Sequence, residues 1–124
     1  MELSDFPPLL ACFIGGGMGL YGLFKPEWIA QITRLQATAP EGRSEFRASF
    51  AGLFFALHTV VAILLLTRNS CADVSAATVG AGWLGACFGR GLSFVYDDAY
   101  TRLNRYNLLL EAFVGLCLIT PVLF

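Results

Sequence analysis

Apolar residues fall along this chain in four long blocks, at about 9–24, 44–67, 73–95 and 104–124, separated by stretches that carry most of the charges. Each block approaches the roughly 20 residues that an α-helix needs to cross ~30 Å of hydrocarbon. Helices are the expected element, because lipid cannot satisfy an open sheet edge and so short a chain cannot close a barrel. Pro7 and Pro8 precede the first block, and Lys25 and Pro26 close it. Across 26–37 the pattern changes. Trp28, Ile29, Ile32 and Leu35 recur at helical spacing opposite Glu27, Gln31 and Arg34, as in an amphipathic helix lying in the membrane interface. Ala39, Pro40, Glu41 and Gly42 break that helix before the second block. The expected architecture is an all-α membrane protein, one domain over 1–124. It is a four-transmembrane-helix bundle with a short interfacial amphipathic helix between helices 1 and 2.

Composition places the chain in the same class. Hydrophobic residues make up 56% and charged residues 14%, against roughly 25% charged in a soluble domain. The formal net charge of −1 gives no support to nucleic-acid binding or to a polybasic anchor. Residues 1–5 lack the basic region of a signal peptide, so the first span is expected to be retained. Small residues mark candidate packing seams. Ala77, Ala81, Gly85, Gly89 and Ser93 recur at every fourth position of the third block, and Gly15-x-x-x-Gly19 lies in the first. Such seams let helices approach closely where the hydrophobic effect cannot drive association. Packing within the chain is the expected use, with a homo-oligomer or a larger membrane complex as the other.

Basic residues set an expected orientation. Lys25, Arg34, Arg43 and Arg47 surround the first connection and Arg102 and Arg105 the third, whereas the second has Arg68 alone. By the positive-inside rule both termini face outward. Phe24, Trp28, Tyr96, Tyr100 and Tyr106 would form an aromatic belt at the cytoplasmic interface.

Three polar motifs fall in that leaflet. Glu45 and Arg47 open the second block. Arg90, Ser93 and Asp97 share a face near the end of the third, and Asn104, Asn107 and Glu111 share one at the start of the fourth. Arg90 and Glu111 each lie roughly 10 Å inside a helix end, at matched depth. A charge in hydrocarbon costs several kcal/mol unless paired or wetted. Two readings follow: a buried ion-pair network that fixes helix register, or a polar pocket for a head group or a carbonyl-bearing, lipid-like or quinone-like ligand. Arginine suits the second because its planar fork binds oxygen pairs. The candidate cluster is Arg47, Arg90, Ser93, Asp97 and Glu111, with Glu45, Asn107 and His58 as secondary positions.

His58 lies deep in the second block, near the depth of Trp83 and without a carboxylate partner. A neutral ring bonded to helix backbone or to Thr59 or Thr78 is expected over a proton relay. With one histidine, and with no metal or redox spacing among Cys12, Cys71, Cys87 and Cys117, no metal site and no cofactor are expected. Free cysteines are the default. No phosphate loop, nucleophile elbow or zinc motif occurs.

The stretch Glu45-Phe46-Arg47-Ala48-Ser49-Phe50-Ala51-Gly52, Gly89-Arg90-x-x-Ser93 followed by Asp97, and Glu111 in the last block resemble the DUF4345 family of small bacterial four-span membrane proteins. The resemblance covers nearly the whole chain. It implies a four-helix fold akin to DoxX-like proteins, a place in the bacterial cytoplasmic (inner) membrane and polar positions to watch, but no activity. The expected role is therefore non-catalytic: a membrane-embedded binding or accessory protein whose partners are membrane lipids or one lipid-like ligand. A proton-coupled transporter using Glu111 is the alternative, and a lipid-modifying enzyme using Glu111 or Asp97 the third.

Overall fold

The computed structural model describes residues 2–124, and among them there is no strand. A 3₁₀ turn at Leu3–Asp5 leads into α1 (Phe6–Phe24), whose first turn accommodates Pro7 and Pro8 because the amide hydrogens there have no intrahelical partner. Short α2 (Pro26–Thr33) and α3 (Pro40–Glu45) each begin on proline. A π-helical segment, Phe46–Gly52, joins α3 to α4 (Leu53–Leu66) without a break, so that Pro40–Leu66 is one rod. Then come α5 (Ala72–Tyr96) and α6 (Arg102–Leu123). Thr101 caps α6 by accepting a hydrogen bond from the Asn104 amide at 3.2 Å.

Three rods are long and apolar enough to cross a membrane: Leu3–Phe24, Pro40–Leu66 and Arg102–Leu123. α5 has the length, 25 residues, but its glycines, with Asp73 and Arg90, keep its mean hydropathy too low for that group. The helix between the first two rods is shorter than 26–37, because Arg34 turns left-handed (φ 60°) and ends it at Thr33.

The apolar face of that helix packs against the bundle. Ile29 is buried against Gly22 and Ala51, and Trp28 meets Tyr21 edge-on at 5.1 Å. α2 folds back under the bundle because glycine at 22 leaves room for the isoleucine: a Cβ there would fall 2.7 Å from Ile29 Cδ1.

α1 packs between the α4 rod and α6, and α5 lies mainly on α6. The glycines at these crossings permit near backbone contact. A Cβ on Gly19 would lie 2.5 Å from the Phe55 amide nitrogen, and one on Gly80 would lie 2.9 Å from the Gly115 carbonyl oxygen. The expected seam in α5 is displaced by one residue. Ala72, Ala76 and Gly80 are the buried positions, whereas Ala81, Gly85 and Gly89 are exposed, and nothing lies within 4 Å of a Cβ at Gly85 or Gly89. A fourfold repeat could not separate the two faces, since the residues 72–76–80 obey it as well as 77–81–85–89.

One core cluster joins α1, α4, α5 and α6 through Ala11, Val61, Trp83, Val114 and Leu118. Many large side chains elsewhere on the rods, such as Phe13, Val60, Phe88 and Leu116, face outward. An apolar exterior around a core this narrow is what a helical protein immersed in lipid presents.

Candidate functional site

Arg90 projects from α5 toward α6, where Glu111 stands 21 residues later in the chain. Its Nε donates to Glu111 Oε2 at 2.9 Å and its Nη2 to Oε1, a two-pronged pairing. Nη1 donates to Asn104 Oδ1 at 3.0 Å, and Asn104 is held in turn by donating from Nδ2 to the Ala99 carbonyl at 3.0 Å. The Glu111 side chain is 9% exposed and that of Arg90 28%. The carboxylate is therefore the enclosed partner, and the guanidinium looks outward.

It looks into a cleft of about 380 Å³ bounded by α1, α2, the π segment, α4, α5 and α6. The size lies within the ~300–1,000 Å³ usual for small-molecule sites. Trp28, Phe50, Phe54 and Trp83 contribute aromatic walls, and Arg90, Glu111 and Asn107 gather at one side. Two lining residues, Phe50 and Ala86, are exposed, so they frame a mouth between the α4 rod and α5. α2 floors the cleft with Trp28, Ile29 and Ile32, and is tied to α6 by Asn107 Nδ2, which donates to the Ile32 carbonyl at 3.2 Å.

The π segment shapes the opposite wall. Its wider turn, in which the Leu53 amide reaches back to the Ala48 carbonyl, spans seven residues. It presents Ser49 and Phe50 to the cleft while Ala51 packs on α1. Such turns are rare and recur at functional sites.

His58 sits behind one wall. Trp83 Nε1 donates to His58 Nε2 at 3.0 Å, and His58 Nδ1 lies 2.6 Å from the Phe54 carbonyl oxygen. Nε2 must accept and Nδ1 must donate, so the ring is the neutral Nδ1–H tautomer. The helix backbone is one partner, as expected, and the tryptophan, not Thr59 or Thr78, is the other. With its only N–H spent on His58, Trp83 offers the cleft only carbon.

A family model described as Domain of unknown function (DUF4345) matches residues 9–121. The chain belongs to the DUF4345 family. No curated protein and no solved structure matches it.

Within this DUF4345 chain the other candidate positions disperse. Arg47 is exposed, and its Nε donates to the Leu23 carbonyl at 2.9 Å, capping the end of α1 rather than entering the cleft. Glu45, also exposed, accepts from Ser49 Oγ. Ser93 is half-buried and takes part through its backbone, its carbonyl receiving the Asp97 and Ala99 amides. Asp97 is the exposed C-cap of α5. The shared face expected for Arg90, Ser93 and Asp97 is therefore not a polar cluster, because Arg90 turns to α6. All four cysteines are free, and the described residues hold no group of three or more potential metal ligands. The aromatic walls left no pattern in the sequence, because they come from helices far apart along it. Asn104 was visible as part of the 104, 107, 111 spacing.

Proposed function

We propose that this DUF4345 chain is a four-span protein of the bacterial cytoplasmic membrane, with both termini outward, that holds one lipid-like molecule without transforming it. The carrying observation is the cleft itself, with a fixed polar group at one side, aromatic walls and a mouth between two rods. Counting α5 as the fourth span rests on its length and on its packing along α6. The outward termini rest on the basic residues near the connections after α1 and α5. A ligand would enter sideways from the leaflet past Phe50 and Ala86 and place its head at Arg90.

The alternatives draw less from the geometry. A proton-carrying Glu111 would have to leave Arg90, which occupies both its oxygens. A general acid or base at Asp97 would work on the exterior, away from the cleft.

Native mass spectra of the protein released gently from its own membrane test the proposal. The expected spectrum carries a lipid-sized adduct that Arg90→Leu removes while the chain stays folded. A bare unaltered chain, or one bound only to other proteins, would overturn it in favour of a structural ion pair in an accessory subunit.

A further inference from the structure

The binding reading leaves open what kind of head group the cleft selects, and the hydrogen-bond inventory of its lining narrows that choice. Thr33 Oγ1 already donates to the Ile29 carbonyl at 2.7 Å, Ser49 Oγ to Glu45, and the Trp83 indole to His58. Arg90 has five N–H groups. Three are spent, two on Glu111 and one on Asn104. Two remain on a side chain that lines the cleft, and Asn107, which lines it too, keeps a second amide hydrogen beyond the one given to Ile32. The side-chain donors not committed within the chain therefore belong to Arg90, Asn107 and the Trp28 indole, which makes acceptor oxygens the natural complement.

Charge decides between acceptors. Arg90 is already neutralised by Glu111, whose carboxylate lines the same cleft. A phosphate or carboxylate head would bring net negative charge into a mostly apolar cleft and lie beside Glu111. Like charges at such range in low dielectric repel strongly. A carbonyl accepts the same hydrogen bonds without that cost. The walls add a preference for shape, since Trp28, Phe50, Phe54 and Trp83 offer ring faces and edges to a flat ring. The cavity, about 380 Å³, is at the small end of ligand sites, suited to one ring with the start of a tail.

Resting on the binding reading above, we propose that the cleft selects a neutral, planar, carbonyl-bearing ring on an apolar tail, of the benzoquinone class, and discriminates against anionic head groups. One carbonyl accepts from Arg90 and Asn107, and the tail leaves between Phe50 and Ala86.

The two tryptophans of the chain, Trp28 and Trp83, both line this cleft, so intrinsic fluorescence reports its occupation directly. The experiment titrates detergent-solubilised, full-length protein with decylubiquinone and, in parallel, with lauric acid, following tryptophan quenching and competition between the two. Expected are saturable quenching by the quinone, no displacement by laurate, and an affinity about tenfold or more weaker in Arg90→Lys, about the worth of one charge-assisted hydrogen bond. Ala86→Phe, at an exposed position in the mouth, should weaken binding without disturbing the ion pair, and covers the case in which position 90 does not tolerate change. Laurate displacing the quinone would overturn the head-group inference while preserving a lipid-binding cleft. Linear, unsaturable quenching insensitive to Ala86→Phe, with no laurate binding either, would overturn both.

Discussion

Arg90 holds Glu111 with two prongs and Asn104 with a third, so one guanidinium fixes α5 to both the first and the third turn of α6. Removing Arg90 leaves the enclosed Glu111 unmatched, which typically costs about 3–5 kcal/mol, and removing Glu111 leaves a guanidinium that is only partly enclosed, which should cost less. Arg90→Leu should lower the melting temperature in detergent markedly, and Glu111→Leu should lower it less. The double variant should recover much of the loss, because an apolar pair of similar size replaces an ion pair at little cost. If the double variant regains stability yet binds no ligand, the pair serves the cleft as well as the fold.

Trp83→Phe keeps the wall of the cleft but deletes the donor to His58 Nε2. An enclosed acceptor without its partner costs about 1–3 kcal/mol, so unfolding should shift by that amount. In the unaltered protein the Trp83 indole proton should give a slowly exchanging NMR resonance distinct from that of Trp28. A fast-exchanging Trp83 resonance would contradict the bond.

The glycines divide into two groups that alanine substitution should separate. At Gly19 a methyl group would meet the Phe55 backbone at 2.5 Å, and at Gly80 it would meet the Gly115 carbonyl at 2.9 Å. Backbone cannot step aside, so both changes should force the helices apart and destabilise the bundle. Gly85 and Gly89 have open space. Alanine there should be neutral, or stabilise by up to about 1 kcal/mol through helix propensity. Chemical unfolding of the four single variants would distinguish the groups.

α2 is also held from outside the rods. Glu27 pairs with Arg43, and its carboxyl is held below the ordinary range first by a backbone hydrogen bond and then by Arg43, Arg47 and Lys25. A carboxyl lowered in the folded state contributes stability above its unfolded pKa and loses it as pH falls through the lowered value. Protection of the amides over residues 27–33, taken relative to the intrinsic exchange rate at each pH, should therefore fall in acid, and Glu27→Gln should show the lower protection already at neutral pH. The effect should be small and salt-dependent, since the pair is exposed.

Several parts of this structure were legible in the chain. Three rods announce themselves by long apolar runs, and the depth match of Arg90 and Glu111 follows from helical rise alone. Glu111 was thus legible as a partner for Arg90, whereas the loss of Ser93 and Asp97 from the cluster was not. Ser93 and Asp97 share its helix by spacing, but the side chain turns toward α6, where Glu111 and Asn104 wait 21 and 14 residues further along. The seam in α5 was misplaced by one residue for a related reason: small residues occur on two adjacent faces, and only the partner helix decides which is covered. The π turn left no sequence mark, because its extra residue is accommodated by small neighbours such as Ala51 lying against Gly19 and Gly22.

The meeting of Gly15 and His58 constrains how this chain can change over time. A methyl group at position 15 would fall 2.2 Å from His58 Nε2, so any side chain there evicts the ring from its place against Trp83. The reverse change, a smaller residue at 58, leaves a void that only a larger residue at 15 could refill. The two sites are therefore open to joint replacement in one order, position 58 first. Among relatives a side chain at position 15 should occur only where position 58 is smaller than histidine.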